Sequence, residues 1–279
     1  MIQRAFYLSV LFVHLVVMAG AQPIVNHFMA VQPDISRGRA FKSITENSEV
    51  LIRGIKPIPH KTEKLFNAHG LIIKQIAYNS AGGKTGETSW EYTSFGKLMR
   101  KHYRFFANLS GWNEEEVVVE WDSLTNLPTK VDVFKNGKKS QWAALVIDTL
   151  GRIESAKVFG STGGHTFTEK FIYIEPSNMV KVMVYRANGV YTSSWSYPLD
   201  QQKDFTFESV SCSYYPNGDV MLEKLSDASK GDQGYYYEYE YDSQGNWVEK
   251  RTYQVNLGRN DKIKKKTLEH KLVRSIQYH

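Results

Sequence analysis

Side chains able to do chemistry are spread thinly along the 279 residues, and few share a spacing that a reaction needs. Ala81-Gly82-Gly83-Lys84-Thr85 has the closing half of a phosphate loop, in which backbone N–H groups and a lysine cradle phosphate oxygens. The glycine that opens such a loop is missing, with Tyr78 and Asn79 in its place, and no helical pattern follows, so the stretch reads as a hairpin turn. The eight histidines form no His-Glu-x-x-His and no paired metal spacing, so neither a metal nor a cofactor is expected. Gly160 to Gly164 does not flank its serine as a nucleophile elbow requires. Glu114-Glu115-Glu116 offers carboxylates for acid–base work, but three acids after a turn read as the solvated start of a strand. No catalytic residue is assigned on these grounds. Cys212 is the single cysteine, which excludes an internal disulfide and a cysteine zinc site and reads as a small buried hydrophobe.

What remains is aromatic. Seventeen tyrosines and six tryptophans exceed what one buried sheet face needs. Flat rings with a polar tip suit stacking on sugar rings or a protein interface, and they also serve cross-strand packing. The expected binding face carries Trp195, Tyr197, Tyr237 and Tyr239, with Lys264, Lys265 and Lys266 as a charged rim. Charge supports the rim: residues 250–279 sum to +7 and the rest of the chain to −1, out of a net +6. In an exported chain such a tail reads as a solvated loop, or as contact with an anionic glycan or lipid head group, and not as a nucleic-acid site.

Those rings must be positioned by strands. Tyr235, Tyr237, Tyr239 and Tyr241 alternate with Tyr236, Glu238 and Glu240, the period of two that a strand uses. Asp242-Ser243-Gln244-Gly245-Asn246-Trp247 then supplies a tight turn and a new strand. The same frame starts at Phe66, Tyr92, Trp121, Ile147, Tyr173 (degenerate), Tyr214 and Tyr241, at spacings of 26, 29, 26, 26, 41 and 27. A second set of breakers sits midway, including Asn136-Gly137 and Asn188-Gly189, where both residues tolerate the left-handed backbone of a type I′ turn. Each repeat is therefore two antiparallel strands. The interval of 41 calls for an extra turn near Pro198 to Lys203 and a flip in the order of turn types. Structural turn positions are Gly70, Gly96, Asp122, Asp148, Gly151, Gly218, Asp242 and Gly245. The expected fold is all-β, an antiparallel meander of about 12–15 strands from residue 66 onward, strongly curved or rolled because strands twist.

The frame at Tyr241-Asp242-Ser243-Gln244-Gly245-Asn246, led in by Tyr237-Glu238-Tyr239-Glu240, resembles the YD or RHS repeat of bacteria. Asp122 and Asp148 match its aspartate, and Gly70, Gly96 and Gly151 its glycine; Asn67, Thr93 and Thr125 depart from it. The resemblance spans about 66–250 and implies long antiparallel sheets, of the kind that form shells around toxin domains or sit on cell surfaces. It implies the fold and not a cargo, since the chain leaves no room for a separate toxin domain.

The first 21 residues read as a secretory signal peptide. Arg4 opens it, Ala5 to Val17 is mostly apolar, and Ala19-Gly20-Ala21 provides small residues before a cut at Gln22. The apolar run is shorter than the ~20 residues of a membrane-spanning helix, and no later stretch is long enough. Residues 22–64, broken by Pro23, Pro33, Pro57 and Pro59, read as a lead-in that covers the first sheet edge, with one strand at Ser48 to Ile55. The repeat domain is 65–279. The expected protein is a secreted, periplasmic or cell-surface binding or scaffold module, with a glycan or a surface protein as partner. Its rivals are an enzyme acting on extracellular glycans and a structural part of a larger surface complex. Asp122-Ser123-Leu124 and Asp148-Thr149-Leu150 also resemble acceptor sites of protein O-glycosylation, although turn geometry already accounts for them.

Overall fold

The computed structural model describes Ile24, Asp34 and residues 36–52, 54–199, 210–225 and 233–279. The expected signal peptide lies outside the described residues. The described chain is a single antiparallel sheet of 17 strands with only short 3-10 turns beside it. The first six strands are β1 (Phe41–Val50), β2 (Ile58–Phe66), β3 (Ile72–Tyr78), β4 (Lys84–Tyr92), β5 (Leu98–Ala107) and β6 (Gly111–Trp121). Next come β7 (Pro128–Lys135), β8 (Lys138–Ile147), β9 (Ile153–Gly160), β10 (His165–Ile174), β11 (Met179–Arg186) and β12 (Tyr191–Pro198). The last five are β13 (Val210–Tyr214), β14 (Val220–Leu225), β15 (Gln233–Tyr241), β16 (Trp247–Leu257) and β17 (Ile263–Tyr278).

Sequence neighbours pair from β1 through β12 and again from β13 through β17. The ladder then closes where the chain is farthest apart in sequence: β1 lies between β17 and β2, with Ile44 opposite both Ile276 and Lys64. The open edges are β12 and β13, which share no ladder among the described residues, so the sheet is curled but not closed. The segment expected to cover an edge thus supplies β1 and most of β2. Hydrophobic periodicity hides them because their inward positions are largely polar: Glu46 and Ser48 on β1, Thr62 and Lys64 on β2.

Residues directly opposite across a ladder share a face, so the inner face can be followed strand by strand. From Ile44 it runs through Lys64, Gln75, Thr88, Tyr103 and Glu115. Over β6 to β11 it becomes apolar. Val117, Val131, Val133, Ala143, Val158, Phe171 and Val182 form the largest core, and Ile24 packs into it. The backbone N–H of Ile24 donates to the buried carboxylate of Glu169, which faces the same interior. Each such valine contributes about 1.5–3 kcal/mol by leaving water. A smaller core of Phe41, Ile44, Phe66, Ile72 and Trp90 sits where β1 joins the sheet.

One five-residue turn serves both ends of the sheet. It begins at Asn67, Asn79, Thr93, Asp148, Gly160, Arg186, Tyr215 and Asp242. The first residue's N–H donates to the fifth's carbonyl, and the fourth, a glycine in the left-handed region, donates back to the first. This is a type I turn continued by a bulge, which turns the chain while keeping the strand twist. An Asn or Asp in first place adds two bonds: Asp242 Oδ1 accepts the N–H groups of Gln244 and Asn246, and Asp148 Oδ1 those of Leu150 and Arg152. The turn at Asp122 is one residue longer, with Asn126 in the left-handed place. Of the two Asn-Gly pairs, Asn136-Gly137 makes the type I′ turn, both residues having positive φ. Asn188-Gly189 does not: only Gly189 is left-handed, within the bulged turn closed by Arg186 and Val190. Strand directions counted round the ladder put every copy of the frame at the same end, before and after the interval of 41. The order does not flip, because β12 and β13 run the same way; the extra turn expected there falls largely outside the described residues.

Gly245 tests the turn. Its φ is +80°, and a Cβ there would meet nothing within 4 Å, so a substitution meets backbone strain alone. Gly245→Val is expected to lower unfolding free energy by about 1–3 kcal/mol in denaturant titration. An unchanged midpoint would refute the geometry.

Candidate binding face

Alternation along β15 turns Tyr235, Tyr237 and Tyr239 to the inner face, with Tyr237 opposite Thr252 and Tyr239 opposite Lys250. Lys250 in turn stands opposite Leu272 on β17. Its ammonium lies 4.4 Å from the ring centre of Tyr237 and 5.6 Å from that of Tyr239, a cation held over two π faces. Tyr239 is the hub of an aromatic wall: Tyr215 meets it edge-on at 6.1 Å, Tyr241 stacks at 6.1 Å and Trp247 packs at 6.4 Å.

Polar groups tie the wall to the end turns. Tyr237 Oη donates to Glu223 Oε2 at 2.8 Å, and Tyr241 Oη to Asp219 Oδ2 at 2.7 Å. The guanidinium of Arg37 grips Asp219 through both oxygens, at 3.0 and 2.9 Å, and donates to the Asn217 carbonyl. Asn246 accepts from the Arg37 N–H and returns a bond to the Arg37 carbonyl. The lead-in chain is thereby clasped across two copies of the frame. Tyr278 Oη donates to Asp242. Burial alone would push the Asp242 carboxyl up, but Tyr278 and the turn N–H groups together hold it below its ordinary range.

The environment keeps the tyrosines as neutral hydroxyls. Burial pushes Tyr237 and Tyr239 up, and Glu223 and Asp219 add to it. Lys250 is pushed down, first by burial and then by the charge of Arg274, with Glu223 and Asp219 opposing. Among the described residues neither Lys250 Nζ nor Tyr239 Oη has a hydrogen-bond or ion-pair partner.

Behind Trp247 lies a closed ring of charge. The Arg274 guanidinium stacks 3.4 Å from the Trp247 ring centre and bonds to Asp34 and Glu46. Lys64 pairs with the same two carboxylates at 2.8 and 2.9 Å. The four side chains come from the lead-in, β1, β2 and β17, and all are largely buried.

The other candidates separate from this group. Trp195 and Tyr197 share the inner face, opposite Val182 and Val180, but on edge strand β12. Trp195 is 45% exposed, whereas the Tyr197 hydroxyl is buried with no hydrogen-bond partner among the described residues. Lys264, Lys265 and Lys266 are exposed. Lys266 stands opposite Val255, on the outer face, where its ammonium covers Tyr253 at 3.7 Å and pairs with Glu238. It is therefore no rim to Tyr237 and Tyr239. The cation that does face them, Lys250, stands in the sequence as one more member of a basic tail; its place three residues past Trp247, in a strand whose period was readable, was the available signal. A cavity of about 300 Å³ opens beside β13, lined by Cys212, Leu222 and Tyr236, away from the aromatic wall. No helix among the described residues is long and apolar enough to cross a membrane, and no group of metal-binding side chains occurs among them.

No protein family matches the sequence, and no curated protein does. Among solved structures, the chain is similar to a porin-like protein from Bacteroides uniformis, with a TM-score of 0.43 and 12% identity over 85% of this chain and 98% of that one. It is also similar to part of a Photorhabdus luminescens Tc holotoxin pore (TM-score 0.32, 12% identity, 85% of this chain) and of a TcdB2–TccC3 complex (TM-score 0.31, 13% identity, 76% of this chain). It spans only 17% and 16% of those two chains.

Proposed function

We propose that this chain is an exported, non-enzymatic binding or scaffold module, built on YD/RHS-like repeats, that holds a glycan or surface protein against its inner aromatic wall. The observation that carries the reading is the cluster of Tyr215, Tyr237, Tyr239, Tyr241 and Trp247 around one hydroxyl, that of Tyr239, with no hydrogen-bond partner among the described residues. Packing alone explains buried rings, but hot spots concentrate in Tyr and Trp that keep a free polar tip. The carboxylates beside the wall favour binding over acid–base chemistry, since Glu223 is engaged by Tyr237 and Asp219 by Arg37 and Tyr241. Export rests on the Arg4, Ala5 to Val17 and Ala19-Gly20-Ala21 pattern.

The test is one variant measured two ways. Tyr239→Ala removes the hub ring and is expected to weaken binding to immobilised glycans by about thirty-fold or more, the loss typical of a hot spot. Tyr239→Phe keeps the ring and serves as the folding control in thermal melts. A wild-type protein that binds nothing on a broad glycan and surface-protein panel, while Tyr239→Ala only loses stability, would end the proposal.

A further inference from the structure

We infer that the ligand of this wall is an acidic saccharide, its carboxylate or sulfate taken by Lys250 Nζ and Tyr239 Oη. The inference rests on the binding reading above and goes further by naming the charge of the ligand. The cations on this stretch of the inner face differ in one respect. Arg274 and Lys64 are saturated by Asp34 and Glu46, and Arg37 by Asp219. Among the described residues Lys250 has no hydrogen-bonded or ion-paired anion, only π faces 4.4 and 5.6 Å away with Glu223 and Asp219 acting on it at longer range, although it is half-buried. A half-buried ammonium with no anion in direct contact pays for desolvation with no charge-assisted bond in return. Its three donors and the Tyr239 hydroxyl stand on neighbouring strands, directly opposite in register. An anion placed between them completes both. The rings of Tyr239 and Trp247 beside it offer the flat apolar surface that the C–H face of a sugar covers. Burial works against the charged form of Lys250, and an arriving anion would work the other way.

Calorimetry with two tetrasaccharides, tetragalacturonate and a neutral galactose tetramer, tests the inference on the full folded protein. The wild type is expected to bind the acidic oligomer at least about ten-fold more tightly, as one charge-assisted hydrogen bond provides. Lys250→Met keeps the side-chain length, and it should abolish that preference. Equal wild-type affinity for the two, or a Lys250→Met variant that still prefers the acid, overturns the acidic-ligand inference and leaves the aromatic wall as a neutral-sugar site. Binding of neither oligomer by the wild type overturns the inference and the glycan reading together. The wild-type ratio alone decides the matter if the variant does not fold.

Discussion

Replacing Arg274 by methionine is expected to destabilise the protein by about 3–5 kcal/mol, the cost of stranding a buried charge. Arg274 and Lys64 together balance Asp34 and Glu46 in the ring beside Trp247, and Arg274 is the most buried of the four, at 9% side-chain exposure. Without it, two carboxylates share one ammonium. The control is Arg274→Met with Glu46→Gln, which leaves the balanced Asp34–Lys64 pair; it should recover most of the loss, and a double-mutant cycle would measure the coupling. Acidity offers a second readout. Burial alone would raise the Asp34 carboxyl, but Lys64 and Arg274 outweigh it and hold it below its ordinary value of 3.8. A carboxyl depressed in the folded state contributes stability in full above its unfolded pKa and loses it as pH falls through the folded one. The wild type should therefore lose this contribution only below about pH 4, and Arg274→Met should unfold at a higher pH. A variant that melts like the wild type at neutral pH would show that the ring contributes nothing to stability.

Gly234→Ala is expected to cost at least about 2–3 kcal/mol, although it adds a single methyl group. A Cβ at that position would sit 2.2 Å from the Glu223 carbonyl oxygen and 3.2 Å from its carbon, and both are backbone of the paired strand. Flexible side chains can move aside; here β14 would have to leave β15. Because Glu223 receives the Tyr237 hydroxyl, the same shift would loosen the aromatic wall. Gly164→Ala is the matched control, since a Cβ there meets nothing and its backbone is not left-handed. Equal melting temperatures for the two variants would refute the close approach.

How far the sequence could be read differs from element to element. The all-β class and the strand–turn rhythm were legible because they are local. An Asp or Asn whose side chain binds N–H groups two and four residues on, with a left-handed glycine between, leaves a frame of fixed length. That Tyr237 and Tyr239 share one face followed from the same period of two; that this face is the inner one did not, because it depends on the ladders to β16 and β17. The turn at Asn188-Gly189 was misread because a pair of residue types does not say whether both, or only the glycine, turn left-handed. β1 and β2 were barely legible: the strand expected at Ser48 to Ile55 meets β1 only at its end, because the inward rows of both strands are largely polar and are satisfied by partners distant in sequence. Arg274 and Asp34 are 240 residues apart, and no pattern within a window reveals such a pair. Lys250 was hidden in the opposite way, by cationic neighbours that face solvent.

The insertion of β1 between β17 and β2 sets the order in which the molecule can be completed. β1 precedes every other described strand in the chain, yet one of its two ladders waits for β17, the last of them. Closing a loop of this length costs on the order of 5 kcal/mol in chain entropy, and contacts so far apart in sequence slow folding. Until that moment β1 and β16 are bare edges, open to pairing with other chains. The two ends it joins are adjacent in space, the N–H of His279 reaching the Ala40 carbonyl at 3.1 Å. Among the described residues the break in the sheet lies elsewhere, between β12 and β13. A gene recut there, with 279 linked to the lead-in ahead of Asp34 so that Asp34 and Arg37 are kept, would encode the described strands as a meander from β13 to β12, every ladder formed between strands made one after the other.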